Sequence, residues 1–189
     1  MPILLGRHMF VLKGAFGKRM VGVMGARAEV QDVDAMLKTL SAIDEKVHTV
    51  SQIFDADRIA GKEHLIHAAK LALDARATCT SFAGSLNIEL VCWASGVRQI
   101  AQAFERVGLR KGCRQVAILT IGNTREAVKC AQTKILQELR VKRDNKVIDI
   151  TPKKIPVLMK TFNIPKRELK IADIQKLVLE KVALLSLQR

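Results

Sequence analysis

The feature that most restricts the fold is a change of apolar period along the chain. Short runs rich in Val, Ile and Phe alternate with longer segments whose apolar residues recur every three or four positions. The first pattern belongs to strands, and the second to helices that bury one face. The strand-like runs are Met9 to Leu12, Val50 to Phe54, Ile88 to Trp93 and Val116 to Ile121, with Val147 to Ile150 as a weaker fifth. The helical period runs through Val33, Met36, Leu37, Leu40 and Ile43, with Asp32 placed as the cap. It returns in KEHLIHAAKLALDARA, and then in a shorter segment through Ile100, Ala103, Phe104 and Val107 that Gly108 stops. Asn123 and Glu126 resemble a capping box for the next helix, Thr151-Pro152 opens another, and Ala172 to Leu187 is the last. The glycines of KGAFGKRMVGVMGAR read as a glycine-rich turn. These elements predict an α+β fold with a small mixed or antiparallel sheet of about four strands surrounded by several helices. The expected organisation is a single domain over 1–189, with 1–8 as a loosely ordered extension, because no repeat or Gly/Ser/Pro linker divides the chain.

Charge narrows the choice of partners. The net charge of +14 is distributed unevenly: Met1 to Ala94 carries 11 Lys/Arg against 10 Asp/Glu, and Ser95 to Arg189 carries 21 against 8. A field of that sign attracts phosphate through counterion release, so a polyanion is the natural partner. With no Tyr, one Trp and six Phe, a broad aromatic platform for stacked bases is not expected. No uncharged run approaches the roughly 18 residues of a membrane span. MPILLGRHMF has neither a basic leader nor an A-x-A site. Cys79, Cys92, Cys113 and Cys130 form no CxxC pair and are expected as free, mostly buried thiols. A cytoplasmic protein is the expectation.

Enzyme signatures are sparse. The chain contains no Walker loop, dinucleotide fingerprint, nucleophile elbow or kinase signature set. His64 and His67 lie three apart on a helical segment, but a zincin helix spaces its histidines four apart around a glutamate, and no third ligand follows by spacing. Asp55 and Asp57 close a strand-like run, where capping the next turn is favoured over acid–base work. Neither metal nor cofactor is expected.

ASGVRQI, Ala94 to Ile100, carries more information. Small residues follow the apolar run IELVCW and a helix then begins, so unsatisfied first-turn N–H groups, the Arg98 fork and the Gln99 amide can meet a phosphate or a base edge. A Ser-capped helix with Arg98 solvated on its outer face explains the same residues. Residue types alone leave both readings open.

FDADRIAGKEHLIHA, then IELVCWASGVRQIAQAFERVGL, then a terminal LVLEKVALLSL resemble, in order and spacing, the kinase-binding regulatory subunit of the KEOPS complex, the PRPK-binding protein family, in its archaeal style. The resemblance covers about Val30 to Gln188 and is carried by specific blocks. It implies a small non-catalytic α+β protein that docks on the atypical small kinase/ATPase of KEOPS. It further implies recruitment of tRNA through the 3′ CCA end in support of threonylcarbamoyladenosine modification, with the threonylcarbamoyl transferase as an indirect partner. The RNA-contacting positions carried over are Ser95, Gly96, Arg98, Gln99 and Ile100, with Arg58, Gly61, Lys62 and His64 beside them. Apolar positions of two helices, Phe104, Val107, Leu177, Val178 and Leu185, are the expected kinase-docking face. The segments RKGCR from Arg110, RVKRDNK from Arg140 and KTFNIPKRELK from Lys160 are more basic than the family pattern needs, and PILLGRH lies outside it. A general basic RNA-binding protein without a kinase partner is the alternative.

Overall fold

The computed structural model describes residues 3–4 and 8–187. Its centre is an antiparallel sheet in the order β1-β2-β3-β5-β4, built from β1 (Ile3–Leu4), β2 (Met9–Gly14), β3 (Gly17–Arg27), β4 (Val50–Asp55) and β5 (Gln115–Gly122), with β6 (Lys142–Arg143) pairing to the end of β3. Of the leading residues 1–8, Ile3 and Leu4 pair with Val11 and Phe10 as β1. Residues 1–2 and 5–7 lie outside the described residues. Among the described residues seven α-helices surround the sheet: α1 (Val33–Val47), α2 (Gly61–Ala77), α3 (Leu86–Ser95), α4 (Ile100–Val107), α5 (Arg125–Glu138), α6 (Lys154–Phe162) and α7 (Ile174–Leu184). This is the α+β class the apolar periods predict.

Strand alternation divides the interior into layers. On β5, Ala117, Leu119 and Ile121 join the larger core beneath α2, α3, α4, α6 and α7, while Val116 and Ile118 join the smaller core beneath α1 and α5. On β3, Val21 and Val23 face the first layer and Met24 and Ala26 the second.

Three expectations fail for identifiable reasons. Ile88 to Trp93 is helix α3, not a strand. Leu90 to Ala94 are all buried, with Trp93 the most accessible at 4%, and a helix buried on nearly every side loses the amphipathic period that distinguishes it from a core strand. Val147 to Ile150 is no strand either; Asn145–Ile148 forms a 3-10 turn, with the Asp144 carboxylate accepting the Lys146 N–H. The glycine-rich segment is the two-residue hairpin of β2 and β3, with Gly14 paired to Gly17, and most of it is the longest strand of the sheet. Gly22 and Gly25 sit inside β3 because elements cross closely there: a Cβ on Gly22 would come within 2.5 Å of Gln132 Nε2, and one on Gly25 within 2.6 Å of the Asp144 carbonyl oxygen.

Helix starts match more closely. Asp32 accepts the Ala35 N–H at 2.9 Å, as expected for α1. The α5 cap is Thr124, which accepts from Ala127 at 3.1 Å, one residue beyond the expected Asn123.

Candidate nucleic-acid interface

The ASGVRQI corner joins two helices rather than a strand and a helix. The α3 helix ends in a Schellman turn: Gly96 N–H donates to the Trp93 carbonyl at 3.1 Å and Val97 N–H to the Cys92 carbonyl at 3.2 Å. Gly96 takes φ 67°, the left-handed region that glycine enters without Cβ strain, and a Cβ there would stand 3.2 Å from the Lys181 carbonyl oxygen of α7. Ser95 is buried; its hydroxyl donates to the Cys92 carbonyl at 2.8 Å and accepts the Val97 N–H at 3.1 Å. Ser95 and Gly96 therefore shape the corner. Arg98, Gln99 and Ile100 are its exposed face, and α4 starts at Ile100 with no side-chain cap from Gln99.

Arg98 does not simply project into solvent. Its guanidinium carbon sits 4.6 Å from the centroid of Phe82, whose ring lies 5.3 Å from that of Trp93 at 32°. The three groups form a tier running from the surface into the core. Its anchor is Glu89, fully buried, whose Oε2 accepts the N–H groups of Phe82 and Ala83 at 2.9 and 2.8 Å and whose Oε1 accepts Trp93 Nε1–H at 2.9 Å. Three donors satisfy the carboxylate where an unpaired one would be costly. Among the described residues Arg98 has no carboxylate partner and its N–H edge remains available. Sequence reasoning missed Phe82; the available signal was one aromatic residue in the SFAG loop, seven positions before an acid in an otherwise apolar helix.

The neighbouring block does not join this face. His64 is fully buried between α2 and α3: Nδ1 accepts the Ala60 N–H at 3.1 Å and Nε2–H donates to the Ala94 carbonyl at 2.8 Å, with Phe162 edge-on at 5.5 Å. Burial pushes its pKa down to about 4. It braces the corner from beneath and presents no surface to solvent. Arg58 serves the far end of α4, donating to the Glu105 and Arg106 carbonyls at 2.7 and 2.9 Å and pairing with Asp55 at 3.5 Å. Arg106 reaches back from α4 to the Ser95 carbonyl at 3.1 Å. Lys62 stands near the Phe10 ring and Glu63, and Gly61 takes φ 82° where α2 begins.

Asp55 is buried, ion-paired to Arg58 and Arg110, and accepts the Asp57 N–H at 3.2 Å, the capping role expected of it. Among the described residues no group of three or more His, Cys, Asp or Glu side chains is placed to hold a metal ion, and no helix is long and apolar enough to cross a membrane. The four cysteines are free, but only Cys92 is buried; Cys113 is half-buried, and Cys79 and Cys130 are exposed, contrary to expectation.

The expected docking face is largely interior. Val107, Val178 and Leu185 are completely buried, and Leu177 is 5% exposed, all within the larger core. Phe104 is half-buried against the same core. The long apolar stripe of α7 is therefore spent on α2, α3 and α6. Exposed apolar side chains at that end are Leu184, Leu187 and, before the helix, Ile171 at 86%.

The three-layer α+β chain commits Asp55, His64 and Glu89 to struts and caps and leaves a stacked guanidinium facing solvent. Residues 28–186, all of α1 to α7 among them, match the family described as Kinase binding protein CGI-121, and the chain belongs to that family. A curated relative is the Regulatory protein Cgi121 of Methanocaldococcus jannaschii, 28% identical over 138 residues, which are 73% of this chain and 84% of that protein.

Proposed function

We propose that this chain is a non-catalytic cytoplasmic adaptor of KEOPS that binds the small kinase/ATPase subunit and recruits tRNA by its 3′ CCA end, supporting threonylcarbamoyladenosine modification. The observation that carries the RNA part is the exposed Arg98 on Phe82, beside the uncapped start of α4. A stacked guanidinium offers a flat cationic surface for an unpaired base and N–H donors for the adjoining phosphate, which suits a single-stranded end better than a duplex. The family description supports the kinase part.

Arg98→Ala, with an unchanged melting temperature, and Phe82→Ala, with a lowered one because the ring also packs on Trp93, are each expected to weaken binding of a short oligonucleotide ending in CCA by about tenfold, the scale of one lost stacking contact. Removing the CCA end from tRNA should have a comparable effect. Equal affinity for intact and trimmed tRNA refutes tail recognition. Uniform binding of any RNA, with a steep salt slope, then favours the general RNA-binding protein.

A further inference from the structure

Two of the three basic segments in excess of the family resemblance, 110–114 and 140–146, lie some thirty residues apart in sequence, yet the fold sets them on either side of one strand end. RKGCR is bound to the chain leaving β3: Ala28 N–H donates to the Arg114 carbonyl at 3.1 Å, Val30 N–H to the Cys113 carbonyl at 3.1 Å, and Gly112 N–H to the Val30 carbonyl at 2.8 Å. RVKRDNK is held on the other side: β6 pairs Arg143 with Ala26 and Lys142 with Arg27, Asp144 N–H donates to the Gly25 carbonyl at 2.9 Å, and Asn145 Oδ1 accepts the Gly25 N–H at 3.0 Å. Gly25 lets this second segment approach closely.

Two open clefts lie at this end and share Asp57 and Gln115 in their walls. One is lined by Arg110, Lys111 and Arg114, the other by Arg27, Lys146 and Lys153. The acids here are partly consumed: Asp144 binds Arg27 at 2.7 Å, and Asp55 binds Arg58 and Arg110. That leaves Lys111, Arg114, Lys142, Lys146 and Lys153, all exposed, without a carboxylate partner among the described residues, against the two exposed acids Asp57 and Asp149. A third cleft, walled by Arg58, Arg106 and Lys160, shares Val157 with the second and borders α4. Glu105 also lines this cleft, and none of Arg98, Gln99 and Ile100 does.

We propose that the β3 end, with both segments around it, is a second binding surface that takes the phosphate backbone of the RNA body away from the tail. It rests on the tRNA reading for the identity of the polyanion. The cations are spaced along open clefts rather than gathered round one pocket, the arrangement for a run of phosphates and not for one small anion.

The full chain is titrated, across a range of salt, with labelled whole tRNA, tail-trimmed tRNA and a short oligonucleotide ending in CCA. A variant carrying Lys111→Gln, Arg114→Gln, Lys146→Gln and Lys153→Gln should keep its melting temperature and its affinity for the oligonucleotide. Its binding of whole tRNA should weaken at least about tenfold, and its slope of log K against log salt should fall by about 3, as four lost phosphate contacts require. An unchanged slope with whole tRNA overturns the surface; if capture of the kinase is lost instead, the patch docks protein. An equal loss for the oligonucleotide also overturns it, since the four cations would then act only as a diffuse field. Equal wild-type binding of intact and trimmed tRNA, with the reduced slope in the variant, removes tail recognition and leaves this surface standing.

Discussion

His64 lies where burial, tautomer and pH meet in one side chain. It must stay neutral, because Nδ1 accepts from Ala60 while Nε2 donates to Ala94. Its pKa is about 4 folded against the ordinary 6.5, so the unfolded chain binds the extra proton between those values. Stability should therefore fall as pH drops from 6.5 towards 4, by on the order of 3 kcal/mol at the low end. Denaturant unfolding of the wild type and His64→Gln from pH 7.5 to 4 measures this. The wild type should lose more stability on acidification than the variant, and parallel curves refute the strut. Gly96→Ala tests the other constraint on the corner. A left-handed φ and a 3.2 Å approach to the Lys181 carbonyl should together cost about 1–2 kcal/mol or more, read as a lower midpoint in the same titration. A histidine and a glycine were visible here in sequence. Their partners, the Ala94 and Lys181 carbonyls, were not, because main-chain acceptors leave no residue-type signature.

Elements were legible where one face is buried and one solvated. The α1 helix and its Asp32 cap follow from pattern alone, and so do β4 and β5. The α3 helix was lost because burial on nearly every side removes the period, and β3 was hidden because its glycines mark helix and turn crossings rather than bends. The α7 helix shows the converse: the family resemblance implied a docking face at Leu177, Val178 and Leu185, yet Val178 and Leu185 are buried by the molecule itself. A carboxylate at Val178 should thus act on folding, with Val178→Asp costing about 3 kcal/mol or more. Leu187→Asp, at a position 74% exposed, should leave the denaturation midpoint unchanged and report on kinase capture alone. A folded Val178→Asp chain of wild-type stability refutes the internal assignment of α7.

Across the whole molecule, the chain reads as a nearly neutral half followed by a basic one, but the fold does not keep them apart. β5 comes from the basic half and sits between β3 and β4 of the nearly neutral one, and the strand end holding basic segments 110–114 and 140–146 is supplied by residues 25–30. That placement was beyond sequence reasoning because it depends on strand order, which local periods do not encode. The same strand order tests whether the chain is one cooperative unit. The family match begins at residue 28, so β1, β2 and all of β3 precede it, yet β3 pairs with β5 over Met20 to Arg27, and Val21, Val23, Met24 and Ala26 are completely buried. A chain beginning at Ala28 would expose both core layers and the inner edge of β5, so it should aggregate or show no cooperative melt. The full chain should unfold in one transition, with equal calorimetric and van't Hoff enthalpies. Two resolved transitions, or a truncated chain that melts cooperatively, would mean that the hairpin is an appendage to a core complete without it.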